Sequence, residues 1–262
     1  MPKNKIENII RIIIFIMQEK GGVRKTTSAE LIFEYFRSKG FSPKIVQVDN
    51  QYKLLKYFGN AVYTCDLPNS LALHQDDMAD ARALEPLLKT IIHDKPEISI
   101  IDVGANRDEK VLDYLLSSGI VDDIEYDNAK IYVFVPFLPD SDTVVLGVKS
   151  IRRASVALKT ATIVPILCDR DNYPLEQLNA GAQEAYKNYI QPVIDDRGCI
   201  HLARLPQGAV SLVENAQLTY AKISTMSRDE LDEKFPESKG PAAVTRGEIR
   251  SMLVRFYSDL VD

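Results

Sequence analysis

Residues 9–17 read IIRIIIFIM and run directly into QEKGGVRKTT at 18–27. The apolar run is too short to cross a bilayer and is interrupted by Arg11. No small-residue cleavage site follows it. A β-branched run of this length that ends in a glycine-rich turn reads as a buried parallel strand. The helical pattern that follows turns the junction into an anion site. Backbone N–H groups of the turn point inward, and the helix N-terminus adds its partial positive charge. Glycine permits the dihedrals and the close backbone approach that such a turn needs. In this setting Lys25 would reach the β- and γ-phosphates of a bound nucleotide, and the Thr26 hydroxyl would take a place on Mg²⁺.

The rest of the chain repeats the alternation. Strands are expected over residues 10–17, 44–48, 98–102, 131–135 and 161–167, with a weaker one at 200–203. Helices are expected over 26–39, ending at Gly40, and over 79–93, 142–158 and 175–189. This order predicts an α/β fold: a doubly wound, mostly parallel sheet with helices on both faces, of the P-loop NTPase kind. With 262 residues and no linker or repeat, the chain reads as a single domain, residues 1–262. Residues 226–262 are more charged and lack a strand pattern, so they read as a C-terminal helical layer. Cys65, Cys168 and Cys199 are odd in number and widely spaced, which gives no metal or disulfide framework and fits a reduced, cytoplasmic setting.

The loop departs from the general pattern G-x-x-x-x-G-K-[ST], because Glu19 and Arg24 occupy its glycine positions. It fits the variant K-G-G-x-G-K-[ST]-[ST] at Lys20, Gly21, Gly22, Lys25, Thr26 and Thr27, with Val23 at the free position and Arg24 in place of the third glycine. Here the chain resembles the ParA/MinD family of ATPases. The resemblance implies ATP and Mg²⁺ as cofactors, bound by residues 20–27. It also implies a homodimer formed around ATP, in which Lys20 reaches the partner's nucleotide.

Two later motifs extend the resemblance. Val46-Gln47-Val48-Asp49-Asn50-Gln51 is similar to the family's D-x-D-P-Q, with Gln47 and Asn50 as departures. Asp49 would orient the attacking water, since a carboxylate near the γ-phosphate is needed to place a water in line. Asp102 ends the apolar run 98–102 as a Walker B aspartate does and would hold Mg²⁺ through a water. Gly104 would let the backbone approach the γ-phosphate. Residues 136–142, PFLPDSD, follow a strand as a switch-like segment does. Asp169 falls where members often carry an asparagine that reads adenine; it would accept from the base amine, or else is a solvent-exposed turn residue. Pro206 lies in a stretch, LPQG, similar to the late loop that lines the base. The resemblance spans roughly residues 10–220, and its specific motifs all precede Asn106.

At the position of Arg24 phosphate loops commonly have positive φ, which costs a non-glycine residue on the order of 1 kcal/mol or more. The fold should tolerate that, and hydrolysis should be reduced.

Family members segregate DNA, position proteins on membranes, or pass electrons. The three cysteines do not match a cluster frame. The terminal stripe of Ile249, Met252, Leu253, Phe256, Tyr257, Leu260 and Val261 has helical spacing, but its arginines are balanced by Glu248, Asp259 and Asp262, so it reads as core-packing and no membrane partner is expected. Lys149, Arg152 and Arg153 share a helix face at i, i+3 and i+4, a patch able to bind DNA phosphates without reading sequence, or else a solvated face. The leading expectation is a ParA-like partition ATPase that binds DNA non-specifically as its ATP dimer, is nucleoid-associated in that state, and is stimulated by a site-specific DNA-binding adaptor protein. The alternatives are a metabolic P-loop ligase or synthetase, against which Lys20 speaks, and a nucleotide-binding scaffold that does not hydrolyse, which Arg24 favours.

Overall fold

The computed structural model describes residues 11–68, 76, 78–168 and 175–260. Seven strands form one sheet: β1 Ile12–Ile16, β2 Lys44–Val48, β3 Val62–Thr64, β4 Ile98–Val103, β5 Lys130–Phe137, β6 Thr162–Cys168 and β7 Ile200–Leu202. Their order is β3-β2-β4-β1-β5-β6-β7, and every pairing is parallel. The chain moves outward from β1 to β2 and β3, returns to insert β4, then builds the other half. Such a reversal leaves a crevice at the carboxyl ends of the strands, where ligands bind in open α/β sheets.

The helices are α1 Lys25–Ser38, α2 Lys53–Phe58, α3 Ala79–Ala83, α4 Glu85–Leu88, α5 Asp108–Ser117, α6 Ile120–Tyr126, α7 Ser141–Ala157, α8 Ala180–Ala185, α9 Gln191–Arg197, α10 Gln207–Ala216, α11 Tyr220–Thr225, α12 Arg228–Lys234 and α13 Lys239–Asp259. Along β1 the side chains alternate between two cores. Ile13, Phe15 and Met17 face the layer built from α3 to α9, and Ile14 and Ile16 face α1, α2 and α10 to α13. Both faces of the strand are therefore dry, which is why its sequence is a continuous apolar run rather than an alternating one.

Several sequence expectations shift. The helix expected over 79–93 is broken at Leu84, where Pro86 enters the first turn of a new helix, and it ends in a π-helical stretch, Lys89–Asp94. The helix expected over 175–189 starts only at Ala180, where Asn179 caps it by accepting from Ala182 N. In the terminal stripe Ile249, Met252, Leu253 and Phe256 are buried against the second core, as a core-packing helix requires. Val261 lies outside the described residues. Among the described residues no helix is long and apolar enough to cross a membrane.

Candidate functional site

The site grows from the carboxyl ends of β1, β2 and β4. Gly22 and Arg24 both have positive φ, 75° and 67°. The carbonyl of Arg24 accepts from Ser28 N at 2.9 Å and Ser28 Oγ at 3.0 Å, which starts α1. The left-handed position expected at residue 24 is thus present, and arginine occupies it. Two left-handed residues within a short turn point successive N–H groups to one side, as an anion nest requires.

Lys25 is buried, and its Nζ donates to Gln18 O at 2.7 Å and Lys20 O at 2.8 Å, so the side chain ties the loop into a ring. Burial lowers its pKa, opposed by the charges of Asp108, Asp102 and Asp49. Thr26 Oγ1 donates to Asp102 Oδ2 at 2.9 Å. Burial pushes the Asp102 carboxyl up to about 6, with Thr26 and Lys25 pulling the other way. At neutral pH it is mainly ionised and presents an oxygen beside the Thr26 hydroxyl, the donor type that a hard divalent cation prefers.

Asp49 lines the same cleft as residues 21–27, and its Oδ1 accepts from Asn50 N at 2.7 Å. Gly104 packs against it. A Cβ at 104 would lie 2.8 Å from Val48 O and 3.0 Å from Asp49 Cγ. The glycine is thus needed to seat the Asp49 strand end.

Two departures from the motifs, Gln47 in the D-x-D-P-Q-like stretch and Glu19 at a glycine position of the general loop pattern, have partners. In the β2–β4 register Gln47 lies opposite Asp102, and Gln47 Nε2 donates to Asp102 Oδ2 at 3.4 Å. A carboxylate at 47 would face that of Asp102 instead. Glu19 accepts from Lys149 at 2.7 Å and from Arg153. Its backbone N donates to Ser150 Oγ at 3.3 Å, and Ser150 donates to the buried Asp108 at 2.5 Å. Burial raises Asp108 to about 6, and its Oδ1 has no partner among the described residues. Asp108 was missed in the sequence because nothing local marks it; it faces Lys25 only in the fold.

The basic face on α7 is changed by these contacts. Lys149 and Arg153 are ion-paired to Glu19, and Arg153 also to Glu109 at 2.9 Å. Arg152 stacks over the Tyr189 ring at 5.5 Å. Lys20 Nζ is held by Asp140 at 3.2 Å and Asp142 at 3.3 Å, both in the switch-like segment. Partial desolvation draws its pKa down, and the bonds to these two aspartates outweigh that and hold it up.

The cleft has a volume of about 390 Å³, inside the roughly 300–1,000 Å³ of small-molecule sites. Its lining also includes Leu205, Gln207 and Tyr220, with Lys53 and Arg204 as cations that sequence reading did not single out. Pro206 is not on this lining; its neighbours Leu205 and Gln207 are. Asp169 lies outside the described residues.

Behind Tyr220 sits Glu30 of α1, fully buried, accepting from Tyr220 N at 2.8 Å. Burial pushes this carboxyl from 4.5 up to about 8. The folded chain therefore binds the proton more tightly than the unfolded one. The contribution is intact below about 4.5 and is lost as pH rises toward 8. Glu30→Gln keeps the acceptor for Tyr220 N–H. In urea titrations at pH 5 and pH 8 the variant should lose less stability between the two than the parent, by at most about 4 kcal/mol. An unchanged difference would show that burial does not raise the Glu30 carboxyl, so that it is already ionised in the folded chain at pH 5.

No family model matches the sequence, and no curated protein matches it either. Solved structures do. Apo McdA from Cyanothece aligns over 92% of this chain and 100% of its own, with a TM-score of 0.51 and 12% identity. MinD from Aquifex aeolicus, a cell division protein, covers 92% of this chain and 98% of its own, with a TM-score of 0.46 and 15% identity. A Cyanothece McdA variant with one aspartate replaced by alanine, in complex with ATP, covers 94% and 98%, at 0.47 and 12%. At these identities the likeness is one of fold. The chain has the fold that the resemblance to the ParA/MinD family implies, the fold of McdA.

Proposed function

We propose that the chain is a Mg²⁺-dependent ATPase that works as an ATP-driven dimerisation switch. The observation that carries this reading is the convergence of Lys25, Thr26, Asp102 and Asp49 around one left-handed, N–H-rich loop at the switch point of a parallel sheet. When bound, Mg²⁺ would neutralise charge developing between the β- and γ-phosphates. Thr26 and Asp102 would hold that ion, the latter through water. The loop N–H groups and Lys25 would position the phosphates. Asp49 would orient the attacking water, and Gly104 keeps Asp49 in place.

In the dimer Lys20 would leave Asp140 and Asp142 for the partner's phosphates, exchanging two exposed ion pairs for a desolvated one. We further propose, from the resemblance, that the switch serves DNA partition with a site-specific DNA-binding adaptor. In that account Arg152 is the residue of the α7 face that has no carboxylate partner among the described residues, so non-specific DNA binding there rests first on Arg152 and only secondarily on Lys149 and Arg153.

Solution mass by light scattering, with and without Mg-ATP, tests the switch. A doubled mass with ATP is the expected result, and a monomer in both conditions would overturn the dimer reading. A second reading, a nucleotide-binding scaffold that does not turn over, is favoured by the left-handed Arg24. Arg24→Gly should relieve about 1 kcal/mol of backbone strain and raise ATP turnover severalfold. If turnover is unchanged, the arginine does not limit hydrolysis.

A further inference from the structure

Away from the cleft, the outer strand β7 and the end of α13 bring together Cys199, His201 and Asp259. Cys199 immediately precedes β7, two residues from His201 within it, and the two side chains meet. Asp259 Oδ2 lies 2.9 Å from His201 Nδ1 and also accepts from His201 N at 2.8 Å. One carboxylate oxygen thus fixes both the ring and the backbone of the same residue. With the proton on Nδ1 facing Asp259, the lone pair of Nε2 is left toward Cys199 Sγ, at 3.7 Å. This is the order of a nucleophile, a base and a group that orients the base.

The other two cysteines differ in kind. Cys65 and Cys168 are fully buried in opposite cores, whereas Cys199 is partly exposed. Among the described residues no three His, Cys, Asp or Glu side chains are arranged to hold a metal ion, so the cluster is not a ligand set. Burial and the charge of Asp259 raise the Cys199 thiol, with Arg255 opposing. The sulfur therefore rests protonated and needs a base to react, and His201 Nε2 is the base within reach.

We propose that Cys199 is a thiol-exchange site for low-molecular-weight disulfides, with His201 as its general base and Asp259 as the residue that positions the base. Cys199 Sγ attacks one sulfur of the disulfide, and the thiol proton passes to His201 Nε2. The small S–S bond breaks as the new one forms. One small thiolate departs, and it takes up the proton from the imidazolium. A mixed disulfide remains on Cys199, with no net change in oxidation across the two reactants.

The test uses the full native chain and 4,4′-dithiodipyridine, followed by absorbance, with glutathione disulfide as a second reagent followed by intact mass. One thiol should react rapidly in the native chain and map to Cys199 by peptide mass, and Cys199→Ser should abolish that phase. The pH dependence of the wild-type rate should carry an inflection that depends on the His201 imidazole. His201→Gln should slow the reaction on the order of 10²-fold and remove that inflection. Asp259→Asn should slow it less and shift the inflection. Rates at Cys199 in denaturant, mapped by peptide mass, should be alike in the wild type and the His201 and Asp259 variants, which separates reactivity from exposure. An unmodified Cys199 in the native chain overturns the proposal. So does a wild-type pH profile without the imidazole inflection, which decides the matter even if a variant fails to fold.

Discussion

Lys25→Ala should lower ATP turnover by about 10²–10³-fold, because it removes a preorganised cation from where phosphate charge develops. The fold adds a second reason. Lys25 Nζ holds the carbonyls of Gln18 and Lys20, so the same change opens the loop ring that sets the N–H directions. Lys25→Met, which fills the space without the charge, should therefore keep more stability than Lys25→Ala and lose a similar amount of turnover. Removing one partner of a rigid buried ion pair costs about 3–5 kcal/mol. Lys25 bonds to two carbonyls and acts on Asp102 and Asp108 through its charge, so here the cost should be smaller, about 1–3 kcal/mol, because burial already pushes both carboxyls up and loss of the ammonium favours their neutral forms further. Hydrolysis assays and urea titration of both variants read the two effects separately. Turnover within about threefold of the parent would remove Lys25 from the chemistry altogether.

The candidate site residues that sequence reading reached are those whose signal is local. The strand–loop–helix junction, Asp49 and Asp102 each end an apolar run, and a run's end is visible in one dimension. What it missed is non-local. Lys149 and Arg153 look like an open basic face because no acidic residue stands near them in the chain. Their counter-charge, Glu19, is about 130 residues away and comes to α7 only through the β1–β5 neighbourhood. Asp108, Lys53 and Arg204 were passed over for the same reason. The fold errors have a different origin. β3 is a three-residue strand at the sheet margin and carries too few residues to show a period. The continuous helix expected over 79–93 fails at Leu84, just before Pro86, and the one expected from 175 fails at Asn179, whose capping role was readable and was not weighed.

Gly147 is a glycine inside a long helix whose reason is not local. In the interior of α7, alanine should be better than glycine by roughly 1 kcal/mol. A Cβ at 147, however, would lie 2.2 Å from Phe137 Cε1 and 2.9 Å from Gln18 Nε2. Phe137 and Gln18 are both fully buried, so neither can swing aside into solvent. Overpacking of this kind costs about 1–3 kcal/mol and sometimes more. It outweighs the propensity gain, and Gly147→Ala should destabilise the chain by about 1–2 kcal/mol. Gly247→Ala is the matched control. It too lies in a helix interior, α13, but a Cβ there meets nothing within 4 Å, so this change should stabilise by up to about 1 kcal/mol. The strain at 147 should also be felt in the cleft. Gln18 Nε2 donates to Thr143 O at 2.8 Å, Gln18 Oε1 accepts from Lys20 N at 3.1 Å, and Gln18 O accepts from Lys25 Nζ. Pushing Gln18 therefore moves the loop that would hold the phosphates, and nucleotide affinity should fall along with stability. Phe137→Leu in the Gly147→Ala background frees the space that the new methyl needs, so the double variant should recover part of both losses. Additive losses in the double variant would mean that α7 and the loop are not coupled through this contact.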